Sequence, residues 1–167
     1  MKIITPRLIL RPVAVTDFEV SYQLFSDPDV MRFSLNGPYS KQKTIEFIAN
    51  CIKQTEQNRP SLLAVLDKET ELLIGYCGFY MQTINGIEEV ELGYRLLKSQ
   101  WGKGLATEAA IAMKEYAFQE MGLTRLISII DKDNIGSVRV AEKVGLTIEK
   151  ELLYNRKIHV AIYAING

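Results

Sequence analysis

The stretch Ser99–Met121, SQWGKGLATEAAIAMKEYAFQEM, places the tightest limits on the fold of this chain. Two glycines, Gly102 and Gly104, flank Lys103. After them Leu105, Ala109, Ala112, Met113, Tyr116 and Ala117 recur in steps of three and four, the period of a helix with one buried face. Just upstream, EEVELGYRLL reads as a strand, so the local order is strand, glycine loop, helix. The free N–H groups and positive dipole end of a helix N-terminus bind anions. Glycine, lacking a Cβ, lets a phosphate approach the loop backbone closely. A phosphorylated ligand on residues 102–107 is therefore expected.

The rest of the composition narrows the ligand and the compartment. A chain of 167 residues, 47% hydrophobic, has the length of one domain, residues 1–167. Twenty basic and twenty acidic side chains cancel, which argues against a nucleic-acid partner and against a polybasic membrane anchor. Cys51 and Cys77 match no metal or redox spacing and are expected as buried free thiols; no metal site is expected. MKIITPRLIL lacks a long apolar core and is interrupted by Pro6 and Arg7, so it does not read as a signal peptide. No apolar run approaches the ~18 residues of a membrane span. A soluble cytoplasmic protein is expected.

In chain order, RLILRPV (7–13) reads as a strand closed by Pro12, after which Thr16 or Asp17 can cap a helix. Ser40 opens a second helix with Ile45, Ile48, Ala49 and Ile52 at helical spacing, ended by Asn58 and Pro60. SLLAVLD (61–67), LLIGYCGFYM (72–81) and EEVELGYRLL (88–97) follow as a meander, with Asn85–Gly86 as a hairpin signal. Past the glycine-loop helix come a strand at RLISIID (125–131) and a helix at NIGSVRVAEKVG capped by Gly145. Two further strands, LTIEKELLY and KIHVAIYAI, end the chain. The order β-α-α-β-β-β-α-β-α-β-β predicts an α/β domain with a mixed, mostly antiparallel central sheet flanked by helices.

GKGLAT is not a Walker loop, because the spacing before its Gly-Lys pair and the residue after it are wrong. It is not a dinucleotide fingerprint either: Thr107 stands where the third glycine belongs, and the motif follows an antiparallel meander. WGKGLATEA, followed by NIGSVRVAEKVGL, resembles the GNAT superfamily of N-acetyltransferases, an acyl-CoA-binding family. TPRLILRPV and ELGY are similar to the branch named for the ribosomal-protein alanine N-acetyltransferases, and the likeness spans the whole chain. The resemblance implies acetyl-CoA as cosubstrate. It places the pyrophosphate on Gly102, Lys103, Gly104, Leu105, Ala106 and Thr107, with Lys103 as a phosphate contact or its solvated neighbour. It gives the pantetheine arm backbone groups of Leu96 and the side chain of Asn134. Trp101 departs from the Arg or Gln that opens the family's loop pattern.

The same resemblance implies direct acetyl transfer to an amine, with a backbone N–H of the strand ending at Leu97 at the carbonyl oxygen. Glu91 is the candidate general base: a half-buried mid-strand carboxylate has a raised pKa. An ion pair with Arg95 on the same strand face is the alternative, and Glu89 is a second, more solvated candidate. The tyrosine that many family members place after the asparagine is Ala141 here, whereas Ser137 matches the serine of the ribosomal-protein branch and faces the departing sulfur. His159 is read as structural, Glu108 as a partner of the helix dipole, and Tyr76, Phe79 and Tyr80 as core or cleft wall. No cysteine lies near the motifs to carry an acyl group. The acceptor is an amine, a protein N-terminus or a small molecule, drawn by an acidic patch at Glu88, Glu89 and Glu91. Homodimerisation stays open, as do a non-catalytic acyl-CoA-binding domain and a nucleotide-binding module. Residues 15–60, expected to choose the acceptor, carry no motif.

Overall fold

Alternation in the first long strand decides which layer each side chain joins: Leu8 and Leu10 have no exposed surface and enter one core, while Ile9 packs into another. The structure is a computed structural model that describes residues 1–154 and 158–167. Lys157, the first residue of the predicted last strand, lies outside the described residues. The elements are β1 (Ile3–Ile4), β2 (Leu8–Arg11), α1 (Phe18–Ser26), α2 (Lys41–Glu56), β3 (Leu62–Asp67), β4 (Leu73–Ile84) and β5 (Ile87–Leu96). They continue with α3 (Leu105–Gln119), β6 (Arg125–Asp131), α4 (Ile135–Val144), β7 (Thr147–Tyr154) and β8 (Ile158–Asn166).

Eight strands form one sheet in the order β1-β2-β3-β4-β5-β6-β8-β7. Every neighbouring pair is antiparallel except β5 and β6. This is the mixed, mostly antiparallel sheet expected from the element order. The short β1 was not expected, nor the insertion of β8 between β6 and β7. α3 and α4 cover one face, where Leu105, Ala109, Ala110, Met113 and Ala117 meet Leu92, Leu96 and Leu126. α1 and α2 cover the other face around stacked Phe25 and Tyr76. With both faces covered, the first seven residues of β4 are all buried, which explains their unbroken apolar run. Asp17 does not cap α1; its carboxylate accepts from Arg11 and from the Ala14 N–H.

The parallel pairing of β5 with β6 is short, with Glu91 opposite Ile127 as its one registered pair. Past that pair the strands part, and the Ser128 hydroxyl donates to the Leu92 carbonyl at 2.8 Å. Every other strand contact of β5 is on its β4 side, in continuous register from Leu96 to Ile87. The C-terminal half of β5 therefore presents one unpaired backbone edge, and the cleft described next opens onto it.

Candidate active site

Gly104 holds φ +76°, a conformation that side-chain-bearing residues rarely adopt, and from it α3 starts at Leu105. The first amide to close the helix is that of Glu108, which donates to the Gly104 carbonyl at 3.1 Å. The amides of residues 105–107 have no intrahelical acceptor and face outward as donors. A cleft of about 690 Å³ runs over them, lined by Gly102, Gly104, Leu105, Ala106 and Thr107 on one side and by Asn134, Gly136 and Ser137 on the other. Lys103 does not line it: its ammonium lies 3.4 Å from Gln100 Oε1, and its carbonyl accepts from Arg7. The cleft cations are instead Arg32, Arg95, Lys98, Arg139 and Lys143, with Lys98 paired to Asp29. Arg139 and Lys143 stand one turn apart on α4; that i,i+4 pair was the overlooked sequence signal.

Leu96 closes the floor. Its carbonyl accepts from Trp101 Nε1–H at 2.9 Å, while the Leu97 N–H is taken by the Ile74 carbonyl at 2.8 Å. Strand alternation then turns the N–H groups of Tyr94 and Leu96 to the open edge where β6 has left. The expected donor from this strand is thus one of those two amides, not that of Leu97.

A second cavity of about 280 Å³ lies beyond the parting of β5 and β6, with Glu91, Gln82 and Tyr154 on its wall. Gln82 Nε2 donates to Glu91 at 2.7 Å, and the Tyr154 hydroxyl donates to Gln82 Oε1 at 3.0 Å. Burial pushes the Glu91 carboxyl up to about 7, against the lowering by Gln82, the Ile129 amide and the charge of Arg95. The alternative ion pair is not formed: among the described residues no carboxylate lies within 4.0 Å of Arg95, whose Nη1 donates to the Val30 carbonyl at 3.2 Å. Glu89 is not solvated as expected; it is 15% exposed and held by Arg125, which also grips Glu149. Of the expected acidic patch of Glu88, Glu89 and Glu91, Glu89 is thus held in an ion pair with an arginine that it shares with Glu149.

The two cavities meet at Phe33, Tyr94, Arg95, Asn134 and Ser137, which line both. Asn134 Oδ1 accepts from the Ser137 N–H at 3.2 Å and so caps α4, leaving its amide NH₂ for another acceptor. The Tyr94 hydroxyl donates to the Ser137 carbonyl at 3.1 Å, and burial pushes its pKa up to about 12, so it stays protonated. Ala141 is buried in the core, so α4 brings no tyrosine to the site. A hydroxyl nonetheless stands there, from Tyr94. No sequence signal marks Tyr94 for this role, because the reach of its hydroxyl to α4 is a tertiary contact.

The profile of the Acetyltransferase (GNAT) domain matches residues 7–147. The chain belongs to the GNAT acetyltransferases. The uncharacterized N-acetyltransferase p20 of Bacillus licheniformis is 31% identical, over 96% of this chain and 93% of that protein. Spermidine N(1)-acetyltransferase of Escherichia coli K12 is 28% identical, over 87% and 75%. The solved structure of RimL, a ribosomal L7/L12 alpha-N-protein acetyltransferase in complex with coenzyme A, superposes with a TM-score of 0.85 at 19% identity, over 99% and 98% of the two chains, a likeness of fold. Membership implies acetyl-CoA as the acyl donor of this N-acetyltransferase. Its cleft fits such a group: unpaired amides at a helix N-terminus, a backbone edge and flanking cations suit a pyrophosphate on a long amide-bearing arm.

The remaining expectations fall away from this GNAT site. Cys51 and Cys77 are buried and free, on opposite sides of the sheet, and neither lines a cavity. His159 is exposed on β8. Tyr76 and Phe79 are core, whereas Tyr80 reaches the wall of the second cavity. Among the described residues no helix is long and apolar enough to cross a membrane.

Proposed function

We propose that this acetyltransferase binds acetyl-CoA in the larger cleft and passes the acetyl group directly to a primary amine in the smaller cavity. The observation that carries this reading is the meeting of the two cavities at Tyr94, Asn134 and Ser137, where β5 and β6 part. Acetyl-CoA supplies an activated thioester. Gly102, Gly104, Leu105, Ala106 and Thr107 cradle its pyrophosphate through backbone amides, and Arg139 and Lys143 add positive charge. Leu96 and Asn134 hold the arm between β5 and α4.

The chain's own groups then divide the proton work. Glu91, ionised above about pH 7, takes a proton from the acceptor ammonium, directly or through one water, and frees the lone pair that attacks. An open-edge N–H of Tyr94 or Leu96 donates to the carbonyl oxygen as charge builds on it. The Ser137 hydroxyl, on a residue whose backbone carbonyl is held by the Tyr94 hydroxyl, donates a hydrogen bond to the sulfur as the C–S bond breaks, and the nitrogen's second proton passes to the departing thiolate. The acceptor is a protein N-terminal amine or a small-molecule amine; a relative named for spermidine and a protein of like fold named for a ribosomal protein support the two alternatives. A cytoplasmic setting belongs to the same reading.

The test is an assay of free CoA release from acetyl-CoA against amino acids, polyamines, aminoglycosides and short peptides with free N-termini. Release with an acceptor, lowered by Glu91→Gln, supports the reading. CoA binding without release from any acceptor overturns it in favour of an acyl-CoA-binding domain. Competition by ATP or NAD for the same cleft favours a nucleotide module.

A further inference from the structure

The smaller cavity carries two charged side chains among the described residues that line it, Glu91 and Arg95. Both lie on β5, four residues and so about 13 Å apart along the strand, on the same face. Gly93 stands between them, and the Tyr80 ring occupies the space its side chain would take: a Cβ there would meet the ring at 2.8 Å. The cavity is thus an aromatic-floored slot with a carboxyl at one end and a guanidinium at the other. Glu91 has its partner in Gln82, but among the described residues Arg95 has only the neutral Val30 carbonyl, at 3.2 Å. Among the described residues the ion pairs engage Arg7, Arg11, Lys98, Arg125 and Lys132, not Arg95. A partly buried guanidinium with most of its donors unspent is a desolvation cost that a planar anion removes by bidentate bonding.

Resting on the proposed function, we propose that Arg95 is the acceptor-specificity residue and that the acceptor is a small primary amine carrying a carboxylate on an apolar body. Arg95 lines both cavities, so the carboxylate lies on Arg95 at their junction with the amine beside it, facing the acetyl group, and Glu91 takes the amine's proton through water. Phe33, Tyr39 and Tyr80 give the apolar body its surface. A polyamine fits this charge pattern poorly, because it brings no anion to Arg95 and sets an ammonium against that guanidinium. This choice departs from the polyamine for which one relative is named.

The experiment compares matched acceptors on the full-length protein: phenylalanine with its methyl ester and with phenethylamine, 6-aminohexanoate with hexylamine, and spermidine. The expected result is a kcat/KM about tenfold or more higher for the carboxylate member of the pair that is turned over. Arg95→Gln should collapse that ratio toward one, mainly through acceptor KM, and Arg95→Lys should restore part of it. Equal or better turnover of the carboxylate-free members, spermidine as the best acceptor, or a ratio unchanged in Arg95→Gln overturns the inference while leaving the acetyltransferase reading intact. CoA binding with release from no amine overturns both.

Discussion

The Arg7 guanidinium bonds the Glu108 carboxylate at 2.7 Å and the Lys103 carbonyl at 2.8 Å, tying the N-terminal segment to the glycine loop and the first turn of α3. The Arg7 N–H and the Thr5 hydroxyl reach the same carboxylate at 2.8 and 2.6 Å. Burial alone would raise the Glu108 pKa; these bonds outweigh it and hold it below the ordinary value. Glu108 therefore does more than answer the helix dipole.

Arg7→Ala should raise the KM for acetyl-CoA by about three- to tenfold with kcat little changed, since the clamp sets where the loop amides stand and touches no reacting atom. Arg7 is half exposed, so the lost stability should stay near 1 kcal/mol. Steady-state kinetics and thermal melts on the same variant separate the two effects.

Glu91 should impose a pH dependence of known sign. With its folded pKa near 7, kcat/KM should rise with pH through about 7 as the carboxylate forms, and Glu91→Gln should lower it about 10²–10⁴-fold and flatten the profile. The folded pKa lies above the unfolded value, so this group favours the fold at low pH. That contribution declines between about pH 4.5 and 7. Glu91→Gln should accordingly match the native chain in stability near pH 4 and exceed it above pH 7, by up to about 3 kcal/mol. Denaturant midpoints at the two pH values check this.

Trp101 is the one tryptophan in the chain, 47% exposed, and its indole N–H lies on the Leu96 carbonyl assigned to the pantetheine arm. Coenzyme A should displace or repolarise that bond. Titration should shift the intrinsic emission with a saturable curve whose midpoint equals the Kd from calorimetry, and Trp101→Phe should abolish the signal.

Gly93→Ala should damage the acceptor cavity and spare the CoA cleft. The new methyl would meet the Tyr80 ring at 2.8 Å and push it into the slot. Acceptor KM should rise at least several-fold while CoA affinity is kept, with a stability loss of about 1–3 kcal/mol from overpacking.

The elements were legible because their signals are local. Ser40 does cap α2, Asn134 caps α4, Gly145 ends it in a left-handed conformation, and the Asn85–Gly86 turn closes β4 onto β5. Glu91 could be nominated because strand alternation places it mid-strand, where a half-buried carboxylate has a raised pKa. The carboxylate beside it was misjudged, since Glu89 depends on Arg125, 36 residues away. Lys103 takes the solvated of its two expected places, exposed beside Gln100, and the choice was open because loop position says nothing about which way a long side chain leaves the backbone.

The order of elements, with its hairpin meander, by itself predicted the mixed sheet, and the segments WGKGLATEA, NIGSVRVAEKVGL, TPRLILRPV and ELGY resembled the family to which the chain belongs. Each rests on backbone conformation and on contacts within a few residues. Tertiary structure alone decided that β5 parts from β6 after Glu91, that Tyr94 reaches Ser137, and that Glu91 finds Gln82 while Arg95 finds no carboxylate among the described residues. These are pairings between distant strands and helices, set by how the layers pack, and no local period encodes them.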